Sequence, residues 1–344
     1  MSWMLLLSKK IINENNNNNK QRKNMNNFKK IGLTALAASL VSTSVFAGEL
    51  TASGSASIKA AHVSTQAGAN TGKAFSMGNS VTFSGAGELD NGMSVSMSFE
   101  LDQNAGDGTA ANNGPFDSHS VTISSDAMGS LKFAGHGGDS AQSQVKDMTG
   151  KIWDYQGTSQ GALSSSTSNN MMLYTLPTMV DGVSLKASYV PKGAAASEFD
   201  SAVDYAIQYT GVDGLTVGYA MGEDNSTAAT LADVDTMYAK YVYGPVTVAY
   251  SASERDEATA ANDREHTAYS LAYTVSENIS VSYGVSEQEQ SSTAASLDEE
   301  VTGFTASYTS GGMTLSGMMV EIDNQGFVAN TKEEAWELGL AFAF

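Results

Sequence analysis

The sequence has no cysteine and very little proline, and each absence excludes a class of structure or site. Without cysteine, the chain can form neither a disulfide nor a thiolate metal site. Only 4 prolines stand against 33 glycines, and charged residues make up 16% of the chain. No run reaches the roughly 18 apolar residues that a membrane-spanning helix needs. This composition favours many short strands joined by polar turns.

Basic residues are also scarce, and the formal net charge is -19. Nucleic acid is therefore excluded as a partner, because phosphate binding needs clustered lysine and arginine. An acidic excess is typical of a soluble surface, and it is equally typical of a surface or pore that repels anions. Composition alone leaves both interpretations open.

Patterns of a catalytic or metal site are missing as well. The four histidines are scattered along the chain, at His62, His119, His136 and His266. None belongs to an HExxH motif, and the glycine-rich "GHGGDS" lacks the Lys-Ser/Thr end that binds phosphate. His119 has serine on both sides, but serine is common throughout these segments. We predict that the protein is not an enzyme and has no cofactor.

The first 47 residues have the layout of an export signal behind an extension. Lys29 and Lys30 precede a short apolar run over residues 31–45, and Val45 and Ala47 supply small residues before Gly48. We predict a signal peptide over residues 25–47, cleaved near Ala47. Residues 1–24 contain an asparagine run and add nothing to export, so we interpret them as an upstream extension outside the fold. The folded domain is then 48–344.

Seven short turns divide this domain. Asp-Gly, Asn-Gly and Gly-Gly pairs supply the positive φ angles that tight hairpins need. The turns lie at residues 90–92, 126–129, 181–182, 213–214, 244–245, 277–278 and 311–312. Apolar residues alternate with small polar ones on both sides of each turn, as in Val183, Leu185, Ala187 and Tyr189. The alternating segments run about eight to eleven residues, which suits a tilted strand crossing a bilayer.

Seven turns and eight longer loops together predict about sixteen antiparallel strands. A soluble β-sandwich also alternates between its two faces. However, a sandwich has no reason to place all short turns at one end, and its outer face would be charged. An apolar face in every strand, behind an export signal, predicts an all-β transmembrane barrel with lipid outside.

Aromatic residues recur at two levels of the predicted strands. Five lie near the loop ends, at Phe99, Tyr189, Tyr219, Tyr250 and Tyr283. Four lie near the turn ends, at Tyr209, Tyr243, Tyr273 and Tyr308. The general preference of strands for aromatic residues explains their presence but not the two levels. We predict two membrane-interface belts.

The chain ends in "EEAWELGLAFAF", which alternates up to the final residue, Phe344. This pattern predicts a closing strand paired to the first strand, so that the sheet has no open edge. The signal peptide, the strand count, the seven turns, the eight loops and the terminal Phe344 together resemble the general diffusion porins of Gram-negative bacteria, most closely those of alphaproteobacteria.

The resemblance implies several properties. It implies an outer-membrane location, short periplasmic turns, long extracellular loops and a homotrimer. It implies contacts with outer-membrane lipid and lipopolysaccharide, and a role for Phe344 as an assembly signal read by the barrel-assembly machinery.

One loop, residues 136–169, is much longer than the others. Trp153 and Tyr155 within it favour packing against a wall over a free tail. In the porins that the sequence resembles, the corresponding loop folds into the barrel and narrows it. A sixteen-stranded barrel is too wide for side chains to fill, so we expect an aqueous channel.

Lysines and loop acids are the candidate constriction residues. By alternation, four lysines point inward, at Lys59, Lys132, Lys186 and Lys240. A lysine facing lipid near the midplane costs about 2–4 kcal/mol, so this cost alone would turn them inward, and a shared role stays open. Three acids of the long loop complete the predicted set, at Asp139, Asp147 and Asp154. The resemblance implies that the two groups set up a transverse field.

We predict passive diffusion of ions and small hydrophilic solutes, with a weak preference for cations. Acids dominate the predicted loop mouths, at Glu254, Asp256, Glu257, Asp263, Glu265, Asp298, Glu299 and Glu300. Such carboxylates could also hold Ca²⁺, but they show no fixed spacing, so solvated charge is the simpler interpretation. The alternatives are a substrate-selective channel for sugars or phosphate, a non-conducting structural or adhesin barrel, and a secreted solenoid.

Overall fold

The structure is a computed structural model. It describes residues 50–65, 74–102, 116–145, 163–165, 169–191, 201–225, 231–291 and 297–344. The predicted extension, signal peptide and cleavage position lie outside the described residues and stay predictions. Within the described ranges, no helix has the length and apolar character needed to cross a bilayer.

The described residues form sixteen antiparallel strands in one closed barrel, as the sequence predicts. In chain order they are β1 (Leu50–Thr65), β2 (Ala74–Glu88), β3 (Ser94–Asp102), β4 (Ser118–Ser125), β5 (Gly129–His136), β6 (Met171–Thr175), β7 (Val183–Val190), β8 (Ala202–Val212), β9 (Leu215–Asp224), β10 (Ala232–Tyr243), β11 (Val246–Glu257), β12 (Arg264–Ser276), β13 (Ile279–Gln290), β14 (Glu299–Ser310), β15 (Met313–Asp323) and β16 (Lys332–Ala343). Short 3-10 turns occur at Ser143–Val145, Ala260–Asn262 and Gln325–Phe327. Each strand pairs with the next, and β1 pairs with β16.

All seven predicted short turns join the strand pairs that the sequence assigns to them. Gly92, Gly182 and Gly214 take φ angles of 77, 77 and 73 degrees, the left-handed conformation that these turns require. The short turns therefore all lie at one end of the barrel, which we call the turn end. The eight longer connections lie at the opposite end, which we call the loop end.

The strands differ in length from the prediction. They range from 5 residues in β6 to 16 in β1, and the connection between β11 and β12 is shortened to residues 258–263. Beyond the apolar band, towards the loop end, the outer face of a strand no longer meets lipid, so the ladder of backbone hydrogen bonds can continue without apolar alternation. The loss of alternation therefore marks the edge of the apolar band and not the end of a strand.

The two ends of the chain close the barrel. Strand β16 pairs with β1 from Thr65, opposite Glu333, to Ser55, opposite Ala343. Beyond the strand, Gly54 N donates to Phe344 O at 2.7 Å, and Phe344 N donates to Gly54 O at 2.9 Å. The apolar end of the sequence is therefore the last hydrogen-bonded rung of the closing strand.

Side chains alternate between an apolar outer face and a small, polar inner face. In β8, Tyr205 is 55% exposed and faces outward, whereas its neighbour Ala206 is 7% exposed and faces inward. The nine residues of the two predicted belts all lie at outward positions. Phe99 among them packs on Phe116, with the ring centroids 5.4 Å apart. Their role as interfacial anchors stays a prediction.

Candidate functional site

The long loop between β5 and β6 enters the barrel. Residues 137–145, 163–165 and 169–170 of it are described. Ser140, Ala141 and Gln142 have no exposed surface although they belong to a loop, and Ser165 is buried as well. We call residues 137–145 the first leg and residues 163–165 the second leg of the inner loop.

An apolar patch on the barrel wall receives the first leg. Ala141 and Val145 pack against wall residues of β6, β8, β9 and β10, namely Leu173, Ala206, Ala220 and Tyr238. Tyr238 lies across Gly218, where an added Cβ would come within 2.4 Å of the tyrosine ring. Small residues on β8 and β9 thus form the recess that the loop fills.

A buried carboxylate, Asp204 of β8, holds the two legs to the wall. Its Oδ2 accepts hydrogen bonds from Ser165 Oγ at 2.8 Å and from Ser188 Oγ at 3.2 Å. Its Oδ1 accepts one from Glu223 N at 3.0 Å, and Ser140 Oγ lies 2.7 Å from Ser165 Oγ. Asp204 is only 3% exposed, so these donors replace the water that it has lost.

Gln142 forms a second attachment. Its Nε2 donates to Thr236 Oγ1 of β10 at 2.8 Å and to Leu163 O at 3.2 Å. Its Oε1 accepts a hydrogen bond from Ser165 N at 2.8 Å. The amide therefore connects the first leg, the second leg and the barrel wall, and all of its described partners are buried.

Arg255 of β11 forms a third attachment. Its Nη1 donates to Ser164 O of the second leg at 3.2 Å. The same guanidinium forms ion pairs with Asp224 at 2.7 Å and Glu257 at 2.6 Å, which fix its direction. It lies opposite Arg264 in the register of β11 and β12, and these are the only arginines after residue 47.

Sequence reasoning missed all three attachments. Arg255 lies in "SASERDEATA", a stretch without apolar alternation that reads as a loop, and the sequence prediction placed it there. Asp204 carries a weak signal, because an acid at an inward position in an otherwise uncharged stretch needs a partner inside the barrel. Gln142 carries none, because glutamine is ordinary in a polar loop.

All four predicted lysines lie at inward positions, as alternation requires. Lys186 Nζ donates to Gln144 Oε1 of the inner loop at 2.5 Å. Lys59 instead pairs with Glu337 of β16 at 3.1 Å. The four lie on β1, β5, β7 and β10, so no two of them are on neighbouring strands.

Of the three predicted loop acids, Asp139 alone is described, and it is exposed. Within the described ranges, no ion pair joins Asp139 to any of the four lysines, and its backbone oxygen accepts from Gln144 Nε2 at 3.4 Å. Asp147, Asp154, Trp153 and Tyr155 lie outside the described residues. A constriction role for the seven residues stays a prediction.

The acids assigned to the loop mouths lie mostly on strands, so that part of the prediction was wrong. Only Asp263 and Asp298 are in loops; Glu254, Asp256 and Glu257 belong to β11, Glu265 to β12, and Glu299 and Glu300 to β14. The reason is again the extension of the ladder beyond the apolar band. Glu299 even faces inward and accepts a hydrogen bond from Gly326 N at 2.5 Å.

Outward-facing carboxylates on the loop-end third of β10 to β15 form what we call the carboxylate rim. It consists of Asp233, Asp235, Glu254, Asp256, Glu265, Glu287, Glu289, Glu300, Glu321 and Asp323. Several are directly opposite one another, for example Asp235 to Glu254 and Glu254 to Glu265. Among the residues of the described strands, Lys332 is the only lysine or arginine that faces outward, and its Nζ pairs with a carboxylate oxygen of Glu321 at 2.7 Å.

Solved porin structures share this architecture. Salmonella typhi OmpF in complex with daunomycin superimposes with a TM-score of 0.67 and 16% identity, covering 86% of this chain and 98% of that chain. An anion-selective porin from Comamonas acidovorans gives 0.64 and 15%, with 86% and 100% covered. A mutant of Rh. blastica porin gives 0.60 and 17%, with the same coverage. At these identities the likeness establishes the fold.

Sequence comparison supplies the family. No curated protein matches the chain. A family model described as Gram-negative porin matches residues 32–296, well over half of the length. Together with the closed barrel and the loop that enters it, this match shows that the chain belongs to the Gram-negative porin family.

Proposed function

We propose that this porin is a water-filled, weakly cation-preferring pore of the bacterial outer membrane for ions and small hydrophilic solutes. Passive, non-enzymatic diffusion follows from the family and from the barrel. Sixteen strands enclose more space than their side chains can fill, so water occupies the remainder. The cation preference, the preferred solutes and the partners are the finer parts of the proposal.

The observation that carries the proposal is the attachment of the inner loop to one side of the lumen. The wall that holds it is β7 to β11, through Ser188, Asp204, Thr236, Ser253 and Arg255. The two legs, fixed in this way, narrow the lumen from one side.

Another part of the wall, β1 to β5, presents mostly small polar side chains to the lumen. It borders a cavity of about 480 Å³ whose lining consists mostly of hydroxyl residues with one base, Lys132, and also includes Gly85, Ala86 and Met97. Small hydroxyl side chains hydrogen-bond to water and occupy little of the cross-section. This lining supports passage of hydrated solutes.

The charge near the loop end supports a preference for cations. Inward positions at the loop ends of the strands hold more acids than bases. The acids are Glu100, Asp102, Asp224 and Glu257, and the bases are Arg255 and Arg264. Two unit charges about 4 Å apart interact by roughly 1 kcal/mol in water. The excess of acids over bases should therefore change the ratio of cations to anions severalfold, and it excludes neither cations nor anions. The carboxylate rim adds to the same field.

Selective transport has less support. A phosphate channel would need several free bases at the narrowest point, yet Arg255 is already bound by two carboxylates. A sugar channel would need a path of aromatic rings along the lumen. Among the described strands, Tyr238 is the only Phe, Tyr or Trp whose side chain points inward, and the inner loop buries it.

The proposed partners rest on the family and on single features. We include a homotrimer, outer-membrane lipid with lipopolysaccharide, and the barrel-assembly machinery. Phe344 is 78% exposed at the turn end, which leaves it accessible to an assembly receptor. For Ca²⁺, oxygens of Glu287, Glu289 and Asp298 lie within 4.8 Å of one another, and calcium titration of the purified protein would test this group.

A planar bilayer under a salt gradient tests the proposal. We expect stepwise conductance increments and a reversal potential of cationic sign. A reversal potential of anionic sign would remove the cation preference and leave the pore. Correctly folded barrels that insert without conducting would overturn the pore itself and favour a structural or adhesin role.

A further inference from the structure

Inward-facing charges are separated by sign along the barrel axis. Three lysines lie the same distance from the turn end: Lys132 is three residues past Gly129, Lys186 three past Val183, and Lys240 three before Tyr243. At about 3.3 Å per residue they lie roughly 10 Å along the strand from the turns. The lysines therefore form a basic level in the turn half of the lumen.

Acids at inward strand positions near this basic level are scarce. Among the described strands, Glu88 is the inward-facing acid within four residues of a short turn. It is the last residue of β2, at the mouth itself. Lys59 lies farther from the turns and is neutralised by Glu337 at 3.1 Å. The basic level thus has no described counter-charge inside the barrel.

The loop half has the opposite sign. Its accessible inward acids, Glu100, Asp102, Asp224 and Glu257, are opposed by Arg255 and Arg264. Arg255 is already neutralised by two of these acids. The exposed Asp139 and the carboxylate rim add further negative charge around this mouth. Cations are therefore concentrated in the loop half and anions at the basic level.

We infer that the pore rectifies, passing more current when the loop-side compartment is positive than when it is negative. With the loop side positive, cations enter through the half that concentrates cations, and anions enter through the half that concentrates anions. Both accumulate where the halves meet, and conductance rises. Reversing the voltage draws both ions away from that junction and depletes it.

Rectification rests on the proposed function, because the barrel must conduct ions, but it is a separate property from the cation preference. Ion preference depends on the sum of the charges along the path, whereas rectification depends on their separation along the axis. The Debye length is about 10 Å at 0.1 M salt and about 3 Å at 1 M. The effect should accordingly be clear in dilute salt and disappear in concentrated salt.

The test measures currents of the complete, refolded porin at equal voltages of both signs in dilute potassium chloride. Because the chain has no cysteine, Ala260→Cys in the exposed β11–β12 loop provides a single thiol at the loop end. This cysteine is biotinylated, and streptavidin is added to one compartment. Streptavidin blocks the current only when that compartment faces the loop end, which identifies the orientation of the pore. We expect a current ratio of about 1.5 to 3 in favour of a positive loop side at 0.1 M, and a ratio near 1 at 1 M.

The variant that tests the mechanism is Lys132→Gln with Lys240→Gln. Neither lysine forms an ion pair within the described ranges, so removing both leaves no acid without its partner. Lys186 is left unchanged because it donates a hydrogen bond to Gln144 of the inner loop. We expect the current ratio to fall towards 1 while the pore still conducts. Lys332→Gln is the matched control, because it also removes one lysine but at the outward face of the loop end, where the loss leaves the carboxylate rim more acidic. Its ratio should therefore not fall below that of the wild type.

Each outcome is decisive. Equal currents of both signs in dilute salt, a ratio of the opposite sign, or an unchanged ratio in the double variant would overturn the inference while the proposed pore stands. Absence of conductance from folded barrels would overturn the proposed function and the inference with it.

Discussion

Gly54 and Phe344 meet at the seam of the barrel, and the size of a single residue matters there. An added Cβ at Gly54 would lie 2.5 Å from Phe344 Cε2 and 2.9 Å from Cζ. Only a residue without Cβ lets the terminal ring lie over the first strand while both backbone hydrogen bonds form. The alternating sequence predicts that the last strand closes the barrel, but it does not identify this glycine.

We therefore expect Gly54→Ala to weaken the seam. Displacing this exposed ring should cost about 0.5–1.5 kcal/mol, the range for a side chain forced out of its preferred rotamer. The measurement is the temperature at which the folded band converts to the unfolded band on a detergent gel. Gly85→Ala is the matched control on the same outer face, because its added Cβ would meet neighbours at 3.7 and 3.8 Å, an ordinary contact. Equal conversion temperatures for the two variants would refute the role of Gly54.

Asp204 is the residue on which the inner loop depends most. In Asp204→Ala, Ser165, Ser188 and Glu223 N lose the acceptor that they share. Each buried donor left unpaired costs about 1–3 kcal/mol, enough to release the second leg from the wall. We expect noisier single-channel currents and faster loop cleavage by protease added at the loop side. Asp233→Ala, an exposed acid at the same end, should change neither, and similar noise in both variants would contradict the assignment.

At the scale of the strand, the carboxylate rim combines regular pairing with unfavourable charge. Like charges directly opposite each other in an antiparallel pair destabilise the sheet. Glu254 has Asp235 opposite it on one side and Glu265 on the other. The strands nevertheless continue through this level, since their backbone hydrogen bonds would otherwise have to be replaced by bonds to water.

Neutralising the middle of this row should stabilise the barrel. We expect Glu254→Gln to raise the thermal unfolding midpoint in low salt, by the equivalent of about 0.2–1 kcal/mol for each relieved pair. The gain should shrink in about 1 M salt because the repulsion is screened. Glu337→Gln is the control, since it removes the partner of Lys59 and should not stabilise. A gain that persists in high salt would rule out charge repulsion as the cause.

At the scale of the whole molecule, the proposed cation preference arises from many charges around one mouth and not from a tight binding site. Such a field is lost once the Debye length falls below the width of the mouth. We expect the reversal potential at a fixed concentration ratio to decrease as the mean salt concentration rises from about 0.01 M to 1 M. A preference that does not change with salt would indicate a narrow site with its own ion ligands.

How much the sequence predicts depends on the range of the interaction. Alternation with period two, turn dipeptides with positive φ and the intolerance of lipid for unpaired backbone groups are all local rules. They suffice for the sixteen strands, the seven turns, the closing strand and the inward direction of Lys59, Lys132, Lys186 and Lys240. They fail at Glu254 and Arg255, because beyond the apolar band no local pattern distinguishes a strand from a loop.

The sequence by itself determined that this chain forms a closed barrel with an apolar outside, because each strand records its two environments in its own residues. Only the tertiary structure decided where the inner loop is held. Gln142 and Thr236 are 94 positions apart and meet only because the sheet curves back on itself. The tertiary structure likewise decided the height of each charge in the lumen, because height depends on how the strands are staggered against one another and not on any single strand.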